Sequence, residues 1–367
     1  MDYTSDKRIV MTLDAGGTNF VFTAFRGNQQ ILEEITLASR ADNLDLCLST
    51  IVEGFEKVKM NLPAAPAAIS FAFPGPADYP RGIIGDLPNL PAFRGGVALG
   101  PFLEGKFALP VFINNDGDLY AYGEAIAGFL PYINNLLEKA GSTKRFKNLL
   151  GLTLGTGFGA GIVRDGRLFI GDNSIAGEIW LLRNKLIPQT NIEEGVSIRA
   201  VRRVYALKAG ISLDQVPSPK DIYEIGVGRK TGNAAAALKA FQELGEAAGD
   251  AIANAITLID GLVVIGGGLA GASEIFLPAI VKEMNGTFAK PDGTRFRRLV
   301  ANVYDLEDKT ALDKFLRGST IEISVYGTNK RVKYDPEMRI GIGISRIGTS
   351  KAIALGAYAF ALRSLDS

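Results

Sequence analysis

Three glycine clusters, each beside an apolar strand-like run, constrain the fold of this chain more than any other sequence feature. The clusters are residues 14–19 (DAGGTN), 155–161 (GTGFGAG) and 266–271 (GGGLAG). The first two lead into a second apolar run, and this pattern predicts a strand, a tight turn and a second strand. Glycine supplies 43 of the 367 residues, whereas its usual share is about 7 %, so the placement of the glycines is informative.

Glycine turns of this kind have a physical use, because backbone N–H groups without neighbouring Cβ atoms can converge on an anion such as a phosphate. A P-loop would need Gly-x-x-x-x-Gly-Lys-Ser/Thr, which the chain lacks. A Rossmann fingerprint must open a helix, whereas residues 155–161 lead into a strand-like run closed by the predicted hairpin turn Asp165-Gly166. Three unrelated tight turns are the remaining interpretation. The repeated plan favours phosphate binding over that interpretation.

Two compositional absences narrow the chemistry. The chain has no histidine and a single cysteine, Cys47. These absences exclude Ser-His-Asp and Cys-His catalysis, the zinc motif H-E-x-x-H, haem on a proximal histidine, internal disulfides and cysteine-rich metal clusters. We therefore expect a carboxylate as the general base of any reaction that this chain catalyses.

Length and charge exclude several other classes. A chain of 367 residues is long enough for about two domains. No apolar run approaches the roughly 18 residues that a membrane span needs, and no charged start leads into an apolar stretch, so we expect a cytoplasmic protein without a signal peptide. Lys+Arg 40 against Asp+Glu 39 leaves a formal charge of +1, and we therefore expect neither a nucleic-acid nor a membrane partner.

An Asn/Asp cluster follows another apolar run. Residues 109–113 (LPVFI) lead into Asn114-Asn115-Asp116-Gly117-Asp118, and residues 119–129 have a helical pattern. Polar side chains beyond a strand end are typical of ligand sites in α/β proteins. They are equally typical of a helix cap. The local sequence leaves both interpretations open.

In this order along the chain, the motifs resemble those of the ROK family of sugar kinases, within the actin-like ATPase superfamily. The matching stretches are residues 13–19, 74–76, 88–90, Asn115-Asp116 with Glu124, 154–161, 176–178, Glu193 with Ser197, 266–268 and 355–357. The resemblance implies an α/β fold of two lobes (ribonuclease H-like) with the active site in the interlobe cleft. The lobes would be residues 1–120 with 350–367, and residues 121–349 with an insertion at about 285–337.

The resemblance also implies an ATP-dependent, glucokinase-like hexose kinase that uses Mg²⁺. Asp116 would be the general base, which agrees with the absence of histidine, and Asp14 would act through the magnesium ion. The phosphate path would comprise Gly16, Gly17, Thr18, Asn19, Gly155, Thr156 and Gly157, and the adenosine side would comprise Gly267 and Gly268. The sugar-binding residues would be Asn89, Asn115, Glu178 and Glu193.

The chain departs from the family pattern after Glu178. Leu181 stands where the family has a histidine that helps to hold sugar and zinc, and residues 183–191 contain no cysteine. We therefore expect no zinc at this site and a loop ordered by packing, with Trp180 as a candidate. These departures favour, as the alternative function, a weakly active or inactive sugar-binding or regulatory protein of the same fold. The intact residues Asp14, Thr18, Asn115 and Asp116 favour an active kinase.

A DNA-binding repressor has less support than a kinase. Family repressors carry a DNA-binding module before the kinase-like fold, and because 13 residues precede Asp14, we expect no such module here. An acetate-kinase-like or exopolyphosphatase-like member of the superfamily is another candidate. We expect a small-molecule sugar as the partner, and a homodimer is possible. Two insertions have no assigned role: residues 134–148, which have a helix-like pattern, and residues 285–337, where 320–326 alternate like a strand.

Overall fold

The computed structural model describes residues 3–85 and 91–367. The chain divides into two compact units. The first comprises Met1–Gly128, Gly161–Gly177 and Ile347–Ser367, and the second comprises Phe129–Ala160 and Glu178–Arg346. The lobe boundaries expected from the sequence stay a prediction.

The described residues form a mixed α/β structure. Its strands are β1 Val10–Ala15, β2 Asn19–Arg26, β3 Gln29–Gln30, β4 Ile35–Ala38, β5 Ala68–Ala72, β6 Ala77–Asp78, β7 Ile83–Ile84, β8 Val111–Asn114, β9 Leu149–Leu154, β10 Phe158–Arg164, β11 Arg167–Phe169, β12 Leu262–Gly266, β13 Thr287–Ala289, β14 Arg295–Arg297, β15 Asn302–Asp305, β16 Ile321–Ser324, β17 Arg331–Tyr334 and β18 Arg339–Ile344. Its α-helices are α1 Leu44–Asn61, α2 Leu99–Phe107, α3 Asp116–Ile126, α4 Phe129–Lys139, α5 Ile198–Ala209, α6 Pro219–Gly226, α7 Ala234–Ile259, α8 Ser273–Met284, α9 Lys309–Arg317 and α10 Thr349–Leu365.

The first sheet has the order β3-β2-β1-β5-β8, with β4 paired to β2. The pairs β1–β5 and β5–β8 are parallel, and β1–β2 is antiparallel. Alternate residues of β1 and β2, among them Met11 and Phe22, face a core that also contains Phe55 of α1. A Cβ on Gly54 of α1 would lie 2.3 Å from the Phe22 ring. Glycine at this position therefore lets α1 approach the sheet closely.

Helices α3 and α10 pack together in the first unit through small residues. A Cβ on Gly123 would lie 1.8 Å from the carbonyl O of Ala352, and one on Gly356 would lie 1.9 Å from that of Leu119. The two helices thus contact each other backbone to backbone, which any side chain at these positions would prevent.

The second sheet has the order β11-β10-β9-β12-β18-β15. Strand β12 is parallel to both β9 and β18, and β18 is parallel to β15. The predicted turn Asp165-Gly166 is confirmed, because β10 and β11 pair across it with Arg164 opposite Arg167. Both turn residues have the positive φ angles, 49° and 70°, that a two-residue hairpin turn requires.

The helical spacing of apolar residues over 233–260, among them Leu238, Phe241 and Leu244, predicts a long helix. The structure has this helix as α7, which begins after the N-cap Asn233. Gly245 and Gly249 within it predict close packing against a neighbour, and this is confirmed, since a Cβ on Gly245 would lie 2.4 Å from the carbonyl O of Phe276 in α8. Within residues 285–337, β15 belongs to the second sheet, whereas β13–β14 and β16–β17 form separate two-stranded hairpins.

Two helix predictions near the middle of the chain need correction. The helix expected over residues 119–129 begins earlier, at Asp116, and ends at Ile126. The helix-like pattern over residues 134–148 is helical only as far as Lys139. From within α4, the Asn134 side chain donates to the carbonyl O of Phe146 at 2.8 Å and accepts from the N–H of Phe146 at 2.9 Å. This paired contact holds the following segment without helical hydrogen bonds.

A search of the helices over residues 3–85 and 91–367 finds no span with the length and hydropathy needed to cross a membrane.

Candidate active site

The carboxyl edge of the first sheet brings together the aspartates predicted to act in catalysis. In the parallel pairs β1–β5 and β5–β8, Asp14 lies opposite Ala72 and Ala72 opposite Asn114. Asn115 and Asp116 follow Asn114 directly. The register of three strands therefore places Asp14 and Asp116 at one edge of the same sheet, as a ligand site in an open α/β sheet requires.

The first glycine turn connects β1 to β2 beside Asp14. A Cβ on Gly16 would lie 2.8 Å from the carbonyl O of Asn19, which explains the need for glycine there. The buried Ser39 anchors the turn: its N–H donates to the carbonyl O of Thr18 at 2.9 Å, and its hydroxyl donates to that of Gly17 at 2.6 Å. With its carbonyls held this way, the turn presents a fixed backbone next to a carboxylate.

Asp14 borders open space rather than the core. It lines a cavity of about 770 Å³ in the first unit, together with Thr12, Thr23, Glu34 and Lys351 among others. Its carboxylate is therefore accessible to a ligand.

Asp116 occupies the first position of α3. Asn115 is the N-cap, and its side chain accepts from the N–H of Gly117 at 2.8 Å. Oδ1 of Asp116 accepts from the same N–H at 3.0 Å. The helix-cap interpretation of the Asn/Asp cluster is confirmed by Asn115, whereas the ligand-site interpretation stays a prediction. The Asp116 carboxylate stands at the helix N-terminus, where the macrodipole favours negative charge.

Burial raises the carboxyl pKa values of both Asp116 and Asp14. The surrounding protein raises the pKa of Asp116 by desolvation, and the hydrogen bond from Gly117 offsets this effect only in part. Desolvation also raises the pKa of Asp14, and the negative charges of Asp116 and Glu34 raise it further. A raised pKa makes a carboxylate a stronger base than an ordinary aspartate.

A bound cation would offset the repulsion between Asp14 and its acidic neighbours Asp116 and Glu34. Mg²⁺ is commonly held by one or two carboxylates together with substrate phosphates, and Asp14 beside Asp116 supplies such a set. Over residues 3–85 and 91–367, no group of three or more carboxylate or thiol ligands is placed to hold a metal on its own. Two carboxylates would fit an ion whose other ligands are substrate phosphates and water.

The second and third glycine clusters meet in the second unit. Strands β9 and β12 are parallel neighbours, and their carboxyl ends lead into residues 155–157 and 266–268. The N–H of Leu269 donates to the carbonyl O of Leu154 at 2.9 Å. Gly267 has φ +89°, and a Cβ there would lie 2.3 Å from that same oxygen. The two turns therefore pack against each other through backbone atoms.

Glu193 contacts the second glycine turn. Its Oε2 accepts from the N–H of Phe158 at 3.1 Å, and its Oε1 accepts from Arg199 at 2.8 Å. Arg199 also donates to the carbonyl O of Thr156 at 3.4 Å and to Glu194 at 2.9 Å. A Cβ on Gly157 would lie 2.6 Å from Oε2 of Glu193. The carboxylate thus fits into space that only a glycine leaves free.

Glu178 lies on a neighbouring segment of the second unit, at the start of the short helical turn Ile179–Leu181. Trp180 donates its indole N–H to Oε2 of Glu178. Trp180 therefore orients this carboxylate. Leu181, at the position of the family's histidine, is 59 % exposed.

The loop at residues 183–191, which follows Leu181, is ordered chiefly by the fully buried Asn184. Its Oδ1 accepts from the N–H groups of Leu186 and Ile187 at 2.9 and 3.2 Å, and its own N–H donates to Thr190. Lys185 adds ion pairs to Glu246 and Glu283 at 3.0 and 2.7 Å. An amide and a lysine therefore hold a loop that zinc would hold in the family pattern.

The structure thus gathers the predicted residues into two groups. In the first unit it brings together the residues of the Asp14–Asp116 edge: Asp14, Gly16, Gly17, Thr18, Asn19, Asn115 and Asp116. In the second unit it brings together Gly155, Thr156, Gly157, Glu193, Gly267 and Gly268, with Glu178 on a neighbouring segment. Asn89 lies outside the described residues.

Sequence reasoning missed two residues that hold the glycine turns, Ser39 and Arg199. No local pattern marks Ser39, which lies about twenty residues after the turn that it anchors. Arg199 could have been suspected from its place just after Ser197, in the motif that includes Glu193.

The sheets and their glycine turns define an α/β protein of the actin-like ATPase fold. The chain belongs to the ROK family, whose sequence model matches residues 10–307. The fold class and the family expected from the sequence are therefore confirmed.

Individual relatives support the assignment. The chain is 30% identical over 281 residues to the N-acetyl-D-glucosamine kinase of Photobacterium profundum, covering 72% of this chain and 85% of the relative. It is 58% identical in sequence to a glucokinase from Parabacteroides distasonis ATCC 8503, and the crystal structure of that protein matches with a TM-score of 0.91 over 99% of both chains. A ROK family glucokinase from Streptomyces griseus, solved with glucose and AMPPNP, is 18% identical, with a TM-score of 0.59 over 96% of this chain and 98% of that one. This last likeness shows the fold alone.

Proposed function

We propose that this chain is an ATP-dependent sugar kinase that phosphorylates a hexose hydroxyl, as a glucokinase does. The single observation that carries the proposal is the pairing of Asp14 and Asp116 at one sheet edge beside an anchored glycine turn. The 58% identity to a glucokinase over 99% of the chain supports it.

In the proposed reaction, a sugar hydroxyl oxygen bonds to the γ-phosphorus of ATP while the bond from that phosphorus to the bridging oxygen of ADP breaks. The hydroxyl proton passes to the Asp116 carboxylate. The raised pKa of Asp116 favours this transfer, and the hydrogen bond to the N–H of Gly117 keeps the carboxylate in one orientation.

The phosphate groups would be held by backbone N–H groups of the glycine turns at residues 16–18 and 155–157, with Gly267 and Gly268 on the adenosine side. Because such donors are fixed before the reaction, they stabilise the charge that moves toward ADP without reorganising. Mg²⁺, when bound with ATP, would offset phosphate charge, and Asp14 is the residue that would hold it.

Asn89, Asn115, Glu178 and Glu193 are the proposed sugar ligands. Amides and carboxylates suit vicinal hydroxyls, because each can accept or exchange hydrogen bonds with them. Glu178 is oriented by Trp180, and Glu193 is oriented by Arg199 and the N–H of Phe158. Carboxylate oxygens can accept more than one hydrogen bond, so both residues can still receive a sugar hydroxyl.

A catalytically weak sugar-binding protein is the second candidate. The observation that favours it is Leu181, an exposed aliphatic side chain at the position where the family has a histidine. A leucine cannot exchange hydrogen bonds with a sugar hydroxyl. This candidate keeps sugar binding but has little or no turnover.

The deciding assay is ADP release from Mg·ATP over a panel of hexoses and N-acetylhexosamines, with Asp116→Asn beside wild type. We expect sugar-dependent turnover that falls by at least about a hundredfold in the variant, the usual contribution of a general base. The matched control is Asp42→Asn, the same chemical change at an exposed position. Undiminished turnover in Asp116→Asn would exclude Asp116 as the base. Sugar-induced thermal stabilisation without turnover in wild type would favour the binding protein.

The location and partners follow from the proposed substrates. We propose a cytoplasmic protein, where ATP and free sugars are available, with a small-molecule sugar rather than nucleic acid or membrane as its partner. We also propose that the chain divides for this function into two lobes, residues 1–120 with 350–367 and residues 121–349.

A further inference from the structure

Arg199 connects a proposed sugar ligand to a proposed phosphate-binding turn within the second unit. One nitrogen of its guanidinium donates to Oε1 of Glu193 at 2.8 Å, and another donates to the carbonyl O of Thr156 at 3.4 Å. Oε2 of Glu193 accepts from the N–H of Phe158 at 3.1 Å. The carboxylate is therefore joined to the turn at residues 155–157 in two ways, directly just after the turn and through the guanidinium within it.

The first residues of α5 hold the same turn. The N–H of Ile198 donates to the carbonyl O of Gly155 at 2.8 Å. The buried Ser197, which is the N-cap of α5, donates its hydroxyl to the carbonyl O of Glu193 at 2.8 Å. A Cβ on Gly157 would lie 2.6 Å from Oε2 of Glu193, so the turn and the carboxylate are also in close contact. A change in the position of this carboxylate therefore disturbs the turn.

Helix stability does not explain an arginine at position 199. Arg199 is the second residue of α5, where the macrodipole disfavours a positive charge. Its side chain is 46 % exposed, and ion pairs of exposed groups contribute little to stability. A guanidinium differs from an ammonium in that its planar fork can donate to two acceptors at once. The side chain is thus suited to holding Glu193 and Thr156 in a fixed relation.

We propose that Arg199 is a positioning residue that couples sugar binding at Glu193 to phosphate binding at the turn 155–157. This inference rests on the proposed function, which assigns the sugar to Glu193 and the phosphates to the turn. A sugar hydroxyl that donates to the carboxylate restricts its motion, and Arg199 transmits this restriction to the carbonyl of Thr156. The nucleotide then binds a turn that is already ordered, which raises its affinity.

The test is the Kd of Mg·AMPPNP for the full chain, measured by isothermal titration calorimetry with and without saturating sugar. Glucose and N-acetyl-D-glucosamine are the probes, in separate titrations, because the relatives named above are kinases of these sugars. Coupling between two sites commonly changes affinity by about 5–150-fold, and we expect a bound sugar to tighten AMPPNP binding to wild type by about tenfold. Because coupling is reciprocal, AMPPNP should tighten sugar binding by the same factor.

Three variants separate coupling from a merely structural role. Arg199→Met, which removes the contact that carries the coupling, should reduce the factor to about twofold or less. Arg199→Lys keeps a positive charge beside Glu193 but loses the fork, so it should bind sugar alone as wild type does and still lose most of the coupling. The matched control is Arg203→Met, one turn further along α5, where the arginine pairs with Glu194 at 2.9 Å. This control should keep the wild-type factor.

The melting temperature of each variant completes the comparison. A merely structural role of Arg199 would lower the melting temperature and leave the coupling factor unchanged. That result, independent binding of sugar and AMPPNP to wild type, or an equal loss of coupling in Arg203→Met would overturn the proposal while leaving the proposed kinase activity intact. Failure of wild type to bind any sugar would instead overturn the proposed function, and the coupling with it.

Discussion

Gly356 of α10 offers a sharp test of how the fold positions Asp116. A Cβ there would lie 1.9 Å from the carbonyl O of Leu119, in the first turns of the helix that begins at Asp116. Folded proteins essentially never place a Cβ within 3.0 Å of a heavy atom outside its own residue and that residue's chain neighbours. Alanine at position 356 would therefore force α3 and α10 apart by about 1 Å or more, a form of overpacking.

The expected magnitude follows from the nature of the obstacle. Overpacking costs about 1–3 kcal/mol, and backbone atoms of a packed helix yield less than the end of a flexible side chain. We therefore expect Gly356→Ala to lower the free energy of unfolding by about 3 kcal/mol. At about 2–4 °C per kcal/mol for a domain of 150–250 residues, the melting temperature should fall by about 6–12 °C. The kcat should fall too, because α3 carries Asp116.

Differential scanning calorimetry on Gly356→Ala and Gly105→Ala provides the comparison. Gly105 also lies within a helix, α2, but a Cβ there would meet no atom within 4 Å. Alanine is a better helix former than glycine by up to about 1 kcal/mol, so Gly105→Ala should melt at the wild-type temperature or slightly above it. Equal melting temperatures for the two variants would refute the close contact between α3 and α10.

Three further predictions concern the site. Because the pKa of Asp116 is raised above the ordinary aspartate value of 3.8, the loss of kcat/KM on acidification should begin at a higher pH than it would for an ordinary aspartate. The raised pKa also means that the folded state binds this proton more tightly than the unfolded chain, so stability falls as pH rises through the raised pKa. Asp116→Asn at neutral pH should therefore melt no lower than wild type. Trp180→Phe should raise the KM for sugar by about tenfold through loss of one hydrogen bond to a charged group while the KM for ATP is unchanged; an equal change in both KM values would contradict the role of Trp180. Asn184→Ala should lower the free energy of unfolding by about 1–3 kcal/mol, and Asn184→Asp, which keeps the acceptor for Leu186 and Ile187, should recover part of the loss, as chemical denaturation can check.

The sequence was sufficient to predict the elements that depend on local patterns. The strand–turn–strand at residues 149–163 and the helix α7 follow from apolar periodicity, and the hairpin turn Asp165-Gly166 follows from residues that tolerate positive φ angles. The helix predicted over residues 134–148 ends at Lys139 instead, because the Asn134 side chain holds the backbone of Phe146 in a non-helical conformation. Such a long-range contact overrides local preference.

The sequence by itself determined which residue types are available to the chemistry: glycine turns, carboxylates and amides, in a chain without histidine. It also determined the alternating pattern of residues 320–326, since alternation is a property of the strand itself. Tertiary structure alone decided that Ser39 anchors the first turn, that Arg199 and Glu193 hold the second, and that Asn184 orders the loop at 183–191. The physical reason is that backbone sterics and periodicity act over a few neighbouring residues, whereas these hydrogen bonds depend on how packing brings distant segments of the chain together.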